Sequence, residues 1–244
     1  MLPTLKTKFN PHIIIANGEN AAAGRGITYR IAQELFELGI HGITMGNHTW
    51  DNKEIFEFID SEPRMIRPAN YMLGNPGKGC TVIRNGKHEL GLINLIGRTF
   101  MQPYDDPFRI ADELLMEWKG KIKCTFVDFH AEATSEKISL GWHLDGRVSA
   151  LVGTHTHVQT HDERILPGGT AYVTDVGMCG PRDAVLGMEK ENVLHKFRTQ
   201  LPVRFNVAEG KWHFHATLVQ IDELTGQATS IRLIRHFEDD WIAE

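Results

Sequence analysis

Four apolar segments of the sequence are each followed by residues whose side chains can bind a metal ion. These residues are Glu19 and Asn20 after HIIIA, Asn47 and His48 after GITM, His130 after IKCTFVDF, and His155 and His157 after SALV. They offer carboxylate, amide and imidazole groups without thiolate, a set that suits Mn, Fe or Zn at a hydrolytic centre. Each residue alone also has a structural explanation, such as a turn or a hydrogen-bonded histidine, so it is their repetition that favours a metal site.

The apolar segments themselves have the pattern of buried strands. They are short, and a helical pattern separates the first two, with Ile27, Ile31, Leu35 and Leu38 spaced along one face before Gly39. Strands that alternate with helices predict parallel pairing in a layered sheet. Ligand sites in such sheets collect outside the carboxyl ends of the strands, so we expect the four sets of polar residues to meet there.

The rest of the chain adds helices and antiparallel strands. Asn85-Gly86 lies between two β-type segments and predicts a hairpin. Helical patterns occupy residues 46–60, 108–120, 134–146 and 189–201, and strand patterns occupy residues 203–209 (VRFNVAE), 213–222 and 230–237. The sequence therefore predicts an α+β fold, a layered sandwich of two mixed β-sheets flanked by helices, in a single domain that spans residues 1–244.

Composition limits the classes of partner. The 244 residues are 41% hydrophobic, which is enough to bury a core, and their net charge of −5 gives no basic surface for stable binding of duplex nucleic acid. No apolar run approaches the roughly 20 residues that span a bilayer. Three separated cysteines without a C-x-x-C motif favour a reduced, cytoplasmic protein. Homo-oligomer formation is left open by the sequence.

The number of candidate ligands favours two metal ions over one. Even six of these seven residues are too many for a single tetrahedral zinc ion, but they suit two ions that share a bridging carboxylate. Two ions roughly 3.5–4 Å apart supply a hydroxide near neutral pH and neutralise charge on a phosphoryl group. The pattern therefore predicts hydrolysis of a small phosphoester, with Fe or Mn favoured as the metal and Zn also compatible.

Longer stretches of the sequence closely resemble the YmdB family of calcineurin-like metallophosphoesterases. The matching stretches are GENAA, GNHTWD, VDFHAEATSEK and VGTHTHVQTHDERILPGGTAYVTDVGM. The resemblance runs through nearly the whole chain and implies a phosphodiesterase that acts on small cyclic nucleotides, including the 2',3'-cyclic type.

The resemblance also implies a role for each candidate residue. It implies that Glu19 bridges the two metals with Asn20 beside it. Asn47, His130 and His155 are then ligands of the second metal, and His157 is a ligand of the first. His48 is the implied general acid that protonates the leaving alkoxide. Two alternatives stay open, namely that Asn20 only supports the ligands and that His48 only orients the phosphate. Asp128, Glu132 and Asp175 are expected near the rim, while His88, His161, His213, His215 and His236 receive no catalytic role.

One element of the family is missing from the sequence. The resemblance implies an initial strand that ends in Gly-Asp, whose aspartate is a ligand of the first metal. Here Leu2, Leu5 and Phe9 instead have the spacing of the end of an amphipathic helix. We therefore expect a chain that is N-terminally truncated relative to the family, through a start placed too far downstream rather than a truly short protein.

Rival functions follow from the same residues. The missing aspartate motivates a regulatory or interaction protein that keeps the fold, with an incomplete metal site and little turnover. A metal-dependent amidohydrolase also uses H-x-H, but at the first strand of a long (β/α)₈ chain, whereas here the motif comes after the midpoint. A metal-dependent nuclease of the same superfamily is not excluded by charge alone.

Overall fold

The computed structural model describes residues 2–239 and 241–243, the last three by their backbone alone. The helices of the described residues are α1 (Leu2–Phe9), α2 (Tyr29–Glu37), a 3₁₀ helix (Lys53–Glu57), α3 (Pro107–Trp118), α4 (Thr134–Leu144) and α5 (Lys190–Thr199). The strands are β1 (Ile15–Asn17), β2 (Gly42–Thr44), β3 (Met65–Ile66), β4 (Cys80–Asn85), β5 (His88–Ile96), β6 (Thr125–His130), β7 (Ala150–Thr154), β8 (Arg164–Ile165), β9 (Ala171–Val173), β10 (Cys179–Pro181), β11 (Trp212–Ile221), β12 (Ala228–Phe237) and β13 (Trp241–Ala243). No helix in this part of the chain is both long enough and apolar enough to cross a membrane.

The strands form three hydrogen-bonded sheets. Strands β1, β2 and β3 make a parallel sheet, and the central sheet has the order β4-β5-β6-β7-β9-β8, in which β5, β6, β7 and β9 are parallel and the two edges antiparallel. Strands β10 to β13 make an antiparallel sheet. The predicted α+β architecture of mixed sheets flanked by helices is confirmed, with the strands divided among three sheets rather than two.

The central sheet is covered on both faces. Leu140 and Leu144 of α4 pack with Phe129 and Leu151 on one face. On the other face, Leu233 of β12 joins a buried cluster with residues of β7 and β9, so the antiparallel sheet lies against the central one. Because both faces are buried, the central strands are near-continuous apolar runs, which explains why the sequence pattern located them.

Two elements differ from the sequence expectation. Residues 46–60 form turns and a short 3₁₀ helix instead of a long α-helix. Asn52 has an extended backbone and accepts a hydrogen bond from the Glu54 nitrogen at 3.1 Å, so the helical segment begins only at Lys53. The predicted strand in residues 203–209 was wrong. This segment contributes only a bridge between Val207 and Met188, and Pro202 directly before it has no N–H to donate to a ladder.

Candidate metal centre

Glu19, Asn47, His130 and His155 lie together at or just beyond the carboxyl ends of β1, β2, β6 and β7. The His130 Nε2 atom is 2.8 Å from Asn47 Oδ1, 3.1 Å from Glu19 Oε1 and 3.0 Å from His155 Nδ1. One ring nitrogen carries at most one proton, so it cannot donate to both oxygens and to a second ring at once. A cation shared by the four side chains satisfies all of these atoms together, and the donor set therefore fits a metal ion.

Glu19 is buried yet remains charged. Burial by itself raises the pKa of this carboxyl group, but the contact with the His130 ring and the hydrogen bond from the His48 backbone N–H outweigh burial and lower the pKa to about 2. That N–H donates to Glu19 Oε2 at 3.1 Å. A deprotonated, buried carboxylate is the form that a metal ligand requires.

Gly46 allows Glu19 and His130 to approach each other. A β-carbon at this position would lie 2.3 Å from Glu19 Oε2 and 2.4 Å from His130 Nε2, inside the space that the two side chains occupy. The Gly46 carbonyl accepts hydrogen bonds from the hydroxyl groups of Thr49 at 2.5 Å and Tyr71 at 2.6 Å. The glycine of the G-N-H element is thus part of the geometry of the centre.

A relay of hydrogen bonds orients the His130 ring. The Thr154 hydroxyl donates to Asp128 Oδ1 at 2.7 Å, so its oxygen accepts from His130 Nδ1 at 2.9 Å. Complete burial raises the pKa of Asp128. Hydrogen bonds that Asp128 accepts from Thr44 and Asn17 partly offset this cost of burying the carboxylate. With its proton fixed on Nδ1, His130 presents Nε2 as the nitrogen that can bind a cation.

The loop after β7 has an unusual backbone conformation. His155 and His157 have φ angles of 98° and 64°, a region that non-glycine residues rarely adopt and that costs of order 1–3 kcal/mol each. Between them, Thr156 donates to Asp175 Oδ2 from its backbone nitrogen at 3.1 Å and from its hydroxyl at 2.7 Å. Lys137 Nζ lies 2.9 Å from the same oxygen, and this ion pair is buried.

The His155 ring is neutral near pH 7. Its Nε2 atom lies 3.0 Å from Glu132 Oε2 on one side, and its Nδ1 atom faces His130 on the other. Burial is the main reason why the pKa of His155 is lowered to about 4, and the adjacent His130 ring lowers it further. A neutral imidazole whose Nε2–H donates a hydrogen bond to Glu132 has a free electron pair on Nδ1, as metal ligation requires.

His48 forms a hydrogen bond to Glu19 through its backbone and one to the Asp51 carboxylate through its ring. Its backbone nitrogen donates to Glu19, while its Nδ1 atom lies 2.9 Å from Asp51 Oδ2. Asp51 also lies 3.7 Å from Arg25. Since a carboxylate accepts, Nδ1 carries a proton in this contact, and Nε2 is the atom left for another partner.

Asn20 and His157 are not brought into contact with the other four candidate ligands. Asn20 donates to the Gly24 carbonyl at 2.9 Å and so stabilises its own loop. Within residues 2–239, the buried Nδ1 atom of His157 has no hydrogen-bond partner. A buried polar atom without a partner costs about 1–3 kcal/mol, and a metal ion would satisfy it.

Sequence reasoning placed the carboxylates Asp128, Glu132 and Asp175 near the rim, and all three support the histidines, although only Glu132 contacts a candidate ligand ring directly. It missed Asp51 and Lys137. Asp51 follows His48 by three residues within GNHTWD, a spacing that brings two side chains together in a turn and could have indicated the pair. Lys137 carried no such signal, because lysines are almost always exposed.

Comparisons with known proteins show what the chain is similar to. A family model described as YmdB-like protein matches residues 1–234. A protein of Bacillus subtilis (strain 168) named 2',3'-cyclic-nucleotide 2'-phosphodiesterase is 56% identical over 243 residues, which cover 100% of this chain and 92% of that relative.

Two solved structures share the fold closely. The crystal structure of a hypothetical protein from Thermus thermophilus has 44% identity and a TM-score of 0.91, covering 97% of this chain and 91% of that chain. The crystal structure of a novel phosphatase from Mycoplasma pneumoniae has 35% identity and a TM-score of 0.91, covering 98% of this chain and 87% of that chain. On this evidence, the chain belongs to the YmdB-like family of metallophosphoesterases.

Proposed function

We propose that the protein is a metal-dependent phosphodiesterase that hydrolyses small phosphoesters, with 2',3'-cyclic nucleotides as the substrate class. The observation that carries the proposal is the convergence of Glu19, Asn47 and His155 on one ring nitrogen of His130. The name of the Bacillus subtilis relative, at 56% identity over the whole of this chain, supports the same substrate class.

The proposed cofactor is a pair of metal ions, with Fe or Mn favoured over Zn. Glu19, Asn47, His130 and His155 would hold one ion, and the unpartnered nitrogen of His157 would offer a ligand to a second, with Glu19 as a ligand of both. When bound, such ions lower the pKa of water and neutralise charge on a phosphoryl group. The protein supplies the fixed orientation through the Thr154 and Asp175 hydrogen bonds.

His48 is the proposed general acid. The Asp51 carboxylate accepts from Nδ1 and stabilises the ring when it is protonated, which leaves the Nε2 proton for the departing ribose oxygen. The hydrogen bond from the His48 nitrogen to Glu19 fixes this ring beside the metal ligands. Asn20 acts in this scheme through its loop, since its amide group is hydrogen-bonded to Gly24.

A panel of phosphoesters, assayed with Mn or Fe, tests the proposal. We expect turnover of 2',3'-cyclic nucleotides by the wild-type chain and its loss in His48→Ala and His155→Ala. His161→Ala is the matched control, because this histidine lies in the same segment with its side chain 68% exposed. Activity that survives in both test variants would reject the assignment, and metal analysis showing no bound ion in an active chain would do the same.

A further inference from the structure

A second cluster of metal-ligand side chains lies far from the candidate metal centre. It consists of His12 before β1, His88 at the start of β5 and Glu223 in the turn between β11 and β12. Strand β5 runs from His88 to Ile96, which pairs with His130. At about 3.3 Å per residue, this strand separates the two clusters by roughly 25 Å.

The three side chains form a cluster that includes none of the proposed catalytic residues. One ligand atom from each lies within 4.8 Å of the other two. The His12 and His88 rings are stacked, with centroids 3.7 Å apart and planes inclined by 10°. His88 Nδ1 forms a short hydrogen bond with Glu223 Oε1.

Regular backbone structure holds the three segments in place. Asn85 pairs with His88 across the β4-β5 hairpin, and its side chain donates to the His12 carbonyl at 2.7 Å. In the β11-β12 turn, Asp222 Oδ1 accepts from the Leu224 nitrogen at 2.9 Å. The cluster is therefore built on a hairpin and a closed turn, which position the donors before any ion arrives.

We propose that His12, His88 and Glu223 bind a divalent transition metal ion of the zinc type at the protein surface. Two imidazoles and one carboxylate are a donor set that zinc sites use, with a fourth position left to water. Two ligands of a tetrahedral zinc ion lie about 3.4 Å apart, given bond lengths near 2.1 Å. One ligand atom of each of the three side chains already lies within 4.8 Å of the other two, so small side-chain movements bring them to this spacing.

Binding requires two local adjustments. The ion displaces the proton of the His88–Glu223 hydrogen bond, which is released to solvent. The His12 ring tilts relative to the His88 ring, because the electron pairs that bind the ion lie in the ring planes. His12 and Glu223 are both exposed, so their side chains can move without disturbing the core, while the partly buried His88 ring keeps its place. The bound ion then fastens the segment before β1 to the hairpin and to the turn, three parts of the chain that are remote in sequence.

Calorimetric titration of metal-free protein with Zn²⁺ at neutral pH tests the site by counting equivalents. We expect His12→Ala and His88→Ala each to bind one equivalent fewer than the wild type, and Glu223→Gln to bind that equivalent at least about tenfold more weakly. The matched control is His195→Ala, since this exposed histidine on α5 belongs to neither cluster. Unchanged stoichiometry in His12→Ala and His88→Ala would overturn the proposal.

A second set of variants separates this site from the candidate metal centre. The double variant Glu19→Gln/His130→Ala is expected to keep the surface equivalent while it loses the ions of the centre. If that variant binds no Zn²⁺, the surface site does not exist. Zn²⁺ should also raise the melting temperature of the wild type more than that of His12→Ala, a substitution at an exposed position that leaves the fold intact. An equal rise in the two proteins would contradict the proposal that the ion links the three segments.

Discussion

The Asp175 carboxylate accepts two hydrogen bonds from Thr156, one from the backbone nitrogen at 3.1 Å and one from the hydroxyl at 2.7 Å. Thr156 is the residue between His155 and His157, whose backbones both have positive φ. A strained loop persists only where its surroundings fix it. Asp175, which follows β9, fixes this loop through the two hydrogen bonds. Lys137 of α4 neutralises the charge of the Asp175 carboxylate.

Replacing Lys137 with methionine should destabilise the protein strongly. The variant keeps much of the side-chain volume but leaves Asp175 buried without its counter-charge, a change that typically costs about 3–5 kcal/mol. Urea denaturation followed by circular dichroism measures the free energy of unfolding. Arg30→Met, in the exposed Arg30–Glu34 pair, is the control and should leave the curve unchanged. Equal effects in the two variants would contradict a structural role for the buried pair.

Thr154→Val should weaken metal binding without loss of the fold. Valine has the shape of threonine but cannot connect His130 Nδ1 to Asp128, and loss of such supporting hydrogen bonds typically lowers metal affinity about 10–100-fold. Competition with a chromophoric chelator measures the affinity. Thr217→Val is the matched control, because the buried Thr217 hydroxyl has no hydrogen-bond partner in the described residues. An affinity as high as that of the control would refute the relay.

Asp51→Asn should lower kcat with little change in KM, because an amide stabilises a protonated His48 ring less well than a carboxylate does. General acid catalysis contributes about 10²–10⁴-fold, and we expect the variant to lose part of this factor. The loss should be large for a cyclic nucleotide and small for a 4-nitrophenyl ester, whose leaving group needs no proton. Equal losses on both substrates would show that Asp51 acts in some way other than through proton transfer.

Gly46→Ala should abolish metal binding at the centre, since the added methyl group overlaps Glu19 Oε2 and His130 Nε2 at 2.3 and 2.4 Å. Elemental analysis of the purified variant gives the metal content, and circular dichroism reports whether the fold is kept. A folded Gly46→Ala protein with wild-type metal content would show that the close approach of these two side chains is unnecessary.

The metal-free protein should lose stability as the pH falls from about 6.5 to about 4. Burial, together with the charges of His213 and Arg235, lowers the pKa of His215 to about 4, whereas the unfolded chain takes up its proton near 6.5. Between these values the unfolded state binds more protons, so acid favours unfolding. After allowance for solvent screening, the contribution is on the order of 1–2 kcal/mol. His215→Gln should reduce the slope of the free energy of unfolding against pH in this range. An unchanged slope would contradict the role of His215.

The strands and the polar residues after them were predictable from the sequence. Central strands are buried on both faces, so their apolar runs stand out, and the carboxyl ends of parallel strands meet at one edge. That rule brings Glu19 and Asn47 together after β1 and β2, and His130 and His155 together after β6 and β7. The packing of the two sheets against each other then joins the two pairs into one centre. The segment VRFNVAE was misassigned because alternation alone does not reveal whether a partner strand is available.

The supporting residues were decided by the tertiary structure. Lys137 and Asp175 are 38 positions apart, and Thr154 and Asp128 are 26 apart, so their pairing depends on how α4 and the strands pack rather than on any local pattern. His12, His88 and Glu223 met for the same reason. The sequence by itself determined which chemical groups follow each strand, whereas packing alone determined which atoms face one another, because contact distances depend on the relative placement of distant segments.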